Sequence, residues 1–199
     1  MISKHPFEPF IPVGATKLII GTIPPPRFCK EPYQLHDDDV NFYYGSRDNS
    51  FWPLLEEIFN EKLDYQNNAS TIDQRKQLLD KLGIGITDII ADCTHANDSA
   101  EDRHLNVIKH KDLEILLRDN PGINTLIYTS EFVKKLVNEY FKTYHLIDPI
   151  NRKKQTIKIN GKVFQVRILY SPSPLALRGL GENGDTKRKE QYRDFLMKE

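Results

Sequence analysis

The sequence predicts an α/β fold, a three-layer α/β/α sandwich around a mainly parallel four-stranded central sheet. Three observations carry this. The apolar runs within residues 17–21 and 124–129 carry no charge after Lys17, as strands buried on both faces do. They alternate with stretches whose apolar residues recur every three or four positions, the period of a helix lying against a sheet. Gly, Pro, Ser and Asn punctuate the ends of the runs, so the loops gather beyond the strand ends and bring the neighbourhoods of residues 22, 49, 88, 129 and 171 to one edge.

In chain order, residues 1–14 are broken by prolines and are expected to lie extended along the surface. The run KLIIG, 17–21, is the first buried strand. Thr22, Ile23 and three consecutive prolines cannot continue it, because proline lacks an amide donor and restricts its neighbour. In parallel sheets, ligands bind beyond this C-terminal end of a strand. Residues 42–52, FYYGSRDNSFW, are too polar at their centre for a core strand, and Gly45 with Ser46 interrupts a helical period. They form a loop into a helix capped by Asn49 or Ser50, with Pro53 in its first turn and Leu54, Leu55, Ile58 and Phe59 on its buried face.

A second helix, 71–82, starts at Thr71 with Asp73 and Gln74 in its first turn, and stops at Gly83. The β-branched residues of GIGITDII, 83–90, make a short strand that places Thr87 and Asp88 at its exit. Residues 91–110, rich in Asp, Asn and His, read as a long polar loop. A short helix at 113–117 ends at Pro121-Gly122. The strand NTLIYT, 124–129, leads to a helix capped by Ser130, with Phe132, Val133, Leu136, Val137 and Tyr140 as one stripe. Residues 156–159 and 163–170 make a hairpin through Asn160-Gly161, its second arm serving as the last strand of the sheet. A Ser- and Pro-rich loop, 171–184, and a charged helix, 185–198, close the chain.

The 199 residues suffice for one domain with a core that needs neither disulfides nor metal. Lys and Arg number 28, as do Asp and Glu, so no global field draws the chain to nucleic acid and any such affinity must be local. Local cations cluster at Arg152, Lys153 and Lys154, and at Lys187, Arg188, Lys189 and Arg193; in the second group Glu190 and Asp194 interleave, as on a solvated face. Cys29 and Cys93 match no metal-ligand spacing and read as free thiols in a reducing compartment, so a cytoplasmic location is expected. No apolar run approaches the ~20 residues of a membrane span, and MISKHPFEPF lacks the core of a secretion signal.

The aromatic loop is the first candidate for chemistry. Flat rings beside Asn49, whose amide both donates and accepts, suit a flat heterocycle held by stacking and read along its edge. A surface turn with its rings packed underneath fits the same residues. His95 and His104 share a loop with Asp92, Asp98 and Asp102, a set better explained by solvation than by a metal; neither a metal nor another cofactor is expected. Asp88 reads chiefly as a cap of the following turn, and otherwise as a group that positions the Asn49 loop or as a base.

Four segments, LIIGTIPPP, FYYGSRDNSFW, GIGITDII and ILYSPSPLALRG, together resemble the uracil-DNA glycosylase superfamily, most closely its hypoxanthine-DNA glycosylase and mismatch-specific branches. The resemblance spans about residues 18–178 with the motifs in the family's order. It implies an enzyme without cofactor that flips a damaged or deaminated base, uracil or hypoxanthine, out of DNA and hydrolyses its glycosidic bond, as a monomer. By the same resemblance Asn49 is catalytic and Phe51 stacks on the base. Tyr44 and the backbone at Thr22 and Ile23 complete the base pocket. Ser171, Ser173, Leu175 and Arg178 belong to the DNA-gripping loop, where serines hold phosphate and a leucine fills the vacated stack.

The departures from the pattern matter equally. Ile23 stands where other branches carry the Asp or Asn that activates water, as in the hypoxanthine branch. Ser46-Arg47 replaces the His-Pro of the aromatic loop. Ser171 replaces the His that assists the departing base. Two other readings follow: a catalytically silent relative that binds DNA or a nucleotide, and a serine hydrolase using Ser171 or Ser173 with a loop histidine. Neither serine sits in a Gly-x-Ser-x-Gly elbow.

Overall fold

The computed structural model describes residues 2–30, 32–95, 105–144, 147–151, 155–177 and 179–197. In chain order the elements are β1 (Ile2–Lys4), β2 (Lys17–Gly21), α1 (Pro26–Cys29), α2 (Phe51–Phe59), α3 (Ala69–Leu82), β3 (Ile84–Asp88), β4 (Ile90–His95) and β5 (Leu105–His110). They continue with α4 (Leu113–Asp119), β6 (Thr125–Tyr128), α5 (Glu131–Thr143), β7 (Ile147–Asn151), β8 (Thr156–Ile159), β9 (Lys162–Ile168), α6 (Pro174–Leu177) and α7 (Gly184–Met197).

The main sheet has the order β3-β2-β6-β9-β8-β7. Its first four strands run parallel, whereas β8 and β7 are antiparallel additions, so the sheet is wider than the four strands expected. The β8–β9 hairpin turns through Asn160 at φ 50° and Gly161 at φ 81°, the left-handed pair that this turn requires.

Strand alternation sorts the core into two layers. Leu18, Ile20, Leu126 and Tyr128 pack with α4 and α5 through Leu113, Val133 and Val137. Ile19 and Ile127 point the other way, into α2, α3 and α7 through Leu55, Leu79 and Tyr192. Leu18, Ile19 and Ile20 are fully buried, each stabilising the fold by about 1.5–3 kcal/mol relative to exposure.

The caps shift some boundaries. α3 begins at Ala69 because the Asn68 carboxamide oxygen accepts from Thr71 N–H at 3.0 Å; Thr71 is inside the first turn, where its hydroxyl donates to Gln66 and Asn68 carbonyls. Gly83 stops the helix at φ 63°. α5 is capped as expected, with Ser130 Oγ accepting from Val133 N–H at 3.1 Å.

Two expectations are corrected. Within 91–110, residues 91–95 and 105–110 belong to β4 and β5, an antiparallel pair joined on its outer edge by β1 to make a second, three-stranded sheet. Its polar residues fit strands with one wet face. The N-terminal segment is not merely superficial: Ser3 is fully buried, and Phe10 exchanges hydrogen bonds with Ile86 at 3.0 and 2.8 Å, covering the free edge of β3. Asp98, Asp102, His104 and the Arg152–Lys153–Lys154 cluster lie outside the described residues. Among the described residues no helix is long and apolar enough to cross a membrane.

Candidate active site

At the C-terminal ends of β2, β3, β6 and β9 the loops enclose a cavity of about 590 Å3. Because the four strands are parallel, all four exits open on the same edge. The β2 exit supplies Thr22 and Ile23, the β3 exit Asp88, the β6 exit Thr129, and the β9 exit Ser171, Ser173 and Leu175. The aromatic loop adds Phe42, Tyr44 and Asn49 from the side.

The inner end is assembled around Gly21. A Cβ there would lie 2.2 Å from the Tyr44 hydroxyl and 2.3 Å from Asp88 Oδ1, so both groups occupy the space a side chain would need. The Tyr44 hydroxyl donates to Thr129 Oγ1 at 3.2 Å, and Thr129 Oγ1 donates to the Ile20 carbonyl at 3.3 Å. Burial holds the Tyr44 phenol well above its ordinary range, so it is a neutral hydroxyl. Behind Asp88, His5 Nε2 meets Oδ2 at 2.8 Å, with the two side chains only 2% and 6% exposed. Asp88 is thus held by a side chain from the N-terminal segment and also faces the cavity, which goes beyond the turn-capping role expected.

The aromatic loop is held from both sides. Tyr44 takes a left-handed conformation at φ 55°, uncommon for a residue with a side chain, and its ring stacks on Phe51 with centroids 4.5 Å apart and planes 26° apart. Phe51 is fully buried and is not on the cavity wall: Tyr44 covers it, and Tyr44 with Phe42 presents aromatic surface to the cavity. The Asn49 carboxamide oxygen accepts from Phe51 N–H at 2.9 Å, which closes the start of α2 and leaves the Nδ2 group of a wall residue for a ligand. Next to it, Ser50 N–H donates to the Pro172 carbonyl at 3.0 Å and fastens the aromatic loop to the β9 exit.

Arg27 is a wall residue that the sequence reading did not single out. Its Nε and Nη2 donate to the two oxygens of Asp39 at 2.7 and 2.9 Å, and Nη2 reaches Ser46 Oγ at 2.7 Å. Asp39 is fully buried and also accepts from the N–H groups of His36 at 2.8 Å and Arg47 at 2.9 Å. Burial pushes the Asp39 carboxyl up, but the bonds from Arg27, Arg47 and His36 outweigh it and hold it below the usual range. Ser46-Arg47, which departs from the family pattern, therefore ties the loop to a buried ion pair.

At the β9 exit, Ser171 Oγ accepts from Ser173 N–H at 3.2 Å and Ser173 Oγ from Leu175 N–H at 3.4 Å, leaving both hydroxyl hydrogens to donate outward. Leu175 is 45% exposed at the rim. The Arg188 guanidinium donates to the Ser171 carbonyl at 3.3 Å and is buried, so it supports this loop from behind and does not belong to a solvated basic face. Arg178 lies outside the described residues. The structure thus brings Thr22, Ile23, Tyr44, Asn49, Ser171, Ser173 and Leu175 to one cavity. Among the described residues no histidine lines it, and no group of three or more potential metal ligands is found.

No protein-family model matches the sequence, and no curated protein matches it. Among solved structures, one described as a "putative Uracil DNA glycosylase" from Methanosarcina acetivorans is similar over 100% of both chains, with a TM-score of 0.62 and 16% identity. At this identity the likeness concerns the fold: the chain has a uracil-DNA-glycosylase-like α/β architecture.

Proposed function

We propose that the chain is a monofunctional DNA glycosylase of the uracil-DNA glycosylase superfamily, on its hypoxanthine and mismatch-acting side, which removes uracil or hypoxanthine from DNA. The observation that carries this is the cavity: one pocket at the parallel strand exits collects aromatic walls, an amide and a serine-bearing rim on a glycosylase-like fold. A volume of about 590 Å3 accommodates a flipped nucleotide.

Cleavage of an N-glycosidic bond builds positive charge on the sugar and negative charge on the base. The pocket excludes water from the base, and Tyr44 and Phe42 pack against its faces. Asn49, through Nδ2, hydrogen-bonds the base or orients the attacking water. Ser171 and Ser173 donate to phosphate, and Leu175 enters the stack that the nucleotide leaves. The chain acts as a monomer on DNA; its two free, buried thiols support a reducing, cytoplasmic setting.

The test is base release from oligonucleotides containing uracil or hypoxanthine, at low salt, by wild type and Asn49→Ala. Release by wild type that falls at least about 100-fold in Asn49→Ala is expected. A second reading, a silent DNA-binding relative, is favoured by one observation: Ile23 places no acid at the β2 exit, and Asn49 spends its oxygen on the helix start. Binding of the same DNA without release of either base establishes that reading instead.

A further inference from the structure

One buried acid–base pair in this site is still without a task. Asp88 stands on the wall of the cavity described above; His5 stands on the wall of a second cavity, of about 830 Å3, lined by β1, β4, β5, α4 and α5. The two side chains meet at 2.8 Å and so bridge the two cavities. Asp88 Oδ2 faces His5, and Oδ1 lies beside Gly21 on the side of the Tyr44 hydroxyl.

The other nitrogen of His5 is unusual in its surroundings. Nδ1 lies 3.1 Å from the Phe7 N–H and 3.0 Å from the Phe7 carbonyl oxygen. A neutral ring accepts from the first, and an imidazolium donates to the second. Nδ1 therefore has a backbone partner whether or not it carries a hydrogen. The groups facing the pair are Lys111 and Tyr43, which both donate to the Phe7 carbonyl, Glu8 on the rear wall, and Tyr44 and Cys29 on the other side.

We propose that His5 and Asp88 form a proton relay from solvent in the rear cavity to the departing base in the front one; this rests on the glycosylase reading. Depth makes the assignment. A flipped base enters first and fills the inner end, while sugar and attacking water stay nearer the mouth. Asp88, at the inner end, meets the base. An unprotonated carboxylate there repels the anion that forms, whereas a carboxyl group donates to it.

In the step, the C–N bond breaks with its electron pair going to the base. The base takes the proton from Asp88 Oδ1, and the electrons of that O–H bond stay on the carboxylate, which the His5 Nε2–H holds. Water supplies oxygen to the sugar and releases its proton to solvent. His5, protonated at Nδ1 from the rear cavity, returns the Nε2 proton to Asp88 Oδ2; a half-turn of the carboxyl group carries that proton to the side of the base, and exchange with solvent moves the ring proton from Nδ1 back to Nε2. Asp88 is the catalytic residue, and His5 acts through it. The relay supplies what Ser171 cannot.

The test compares single-turnover release of the natural base with that of a fluorinated analogue whose anion is a weaker base: 5-fluorouracil for uracil, 2-fluorohypoxanthine for hypoxanthine. Asp88→Asn is expected to slow release of the natural base about 100-fold or more, and of the analogue by less than about tenfold, with DNA binding unchanged. His5→Ala is expected to be slow and to recover with added imidazole, which the open rear cavity admits. This second variant decides the matter alone if Asp88→Asn does not fold. Equal losses for both bases, no loss, or a His5→Ala defect that imidazole leaves untouched in protein that binds DNA normally overturns the relay. Wild type that releases neither base is a different result and removes the glycosylase reading itself.

Discussion

At Gly21 a hydrogen atom is the largest side chain the site accepts. The Tyr44 hydroxyl and Asp88 Oδ1 lie 2.2 and 2.3 Å from where a Cβ would stand, and both belong to side chains fixed by stacking or by a hydrogen-bond partner. Gly21→Ala must therefore push one of them out of place. Overpacking of this kind costs about 1–3 kcal/mol. A fall in unfolding free energy of that size, read as a lower urea midpoint, is expected, together with loss of base release of at least about tenfold, because the displaced groups form the inner end of the pocket. Release at the wild-type rate from Gly21→Ala would show that neither Tyr44 nor Asp88 needs its present position. The contrast with Gly83 and Gly161 is instructive: nothing lies within 4 Å of a Cβ at either, and their left-handed φ alone explains the glycine.

At the scale of elements, α7 sets the position of the β9 exit. Gln191 accepts from Tyr170 N–H at 2.6 Å and donates to the Ile168 carbonyl at 3.1 Å, while the Tyr192 hydroxyl donates to the Tyr170 carbonyl at 3.0 Å. Gln191→Ala removes two of these bonds and is expected to lower stability by about 1–3 kcal/mol. Faster amide exchange at Tyr170 and weaker DNA binding should accompany it; unchanged exchange there would mean that the remaining bonds hold the loop alone. How much of this was legible depends on where each element hides its residues. β2 and β6 were readable because burial on both faces leaves an apolar centre, LII in KLIIG and LIY in NTLIYT. β4 and β5 were not, because one wet face fills ADCTH and LNVIKH with polar residues that read equally as loop. The site shows the same division. Asn49, Tyr44, Ser171 and Ser173 stand in compact motifs, and those motifs do converge on one cavity. His5 and Arg27 carry no local pattern: their partners Asp88 and Asp39 are 83 and 12 residues away, and only the folded chain joins them.

For the whole molecule, equal numbers of cations and anions mean that charge repulsion does not oppose compactness near neutral pH, so specific groups should set its acid limit. Two groups act in the same direction. Burial lowers the affinity of His110 for its proton, with Glu139 opposing. The unfolded chain then binds more protons than the folded one, and stability is lost as pH falls below the ordinary imidazole range near 6.5. For Asp39, burial raises the carboxyl but the bonds from Arg27, Arg47 and His36 prevail and hold it down; its contribution is complete above the ordinary carboxylate range near 3.8 and is lost as pH falls through its lower folded value. Urea midpoints measured from pH 8 to pH 3 should therefore fall in two stages. His110→Gln is expected to flatten the first, and Asp39→Asn to flatten the second while lowering the plateau at neutral pH, since Arg27 and Arg47 lose a charged acceptor. A single acid transition that both substitutions leave unmoved would assign the acid limit to other carboxylates. Because Arg27 and Ser46 stand on the cavity wall, base release by Asp39→Asn should decline with the same plateau.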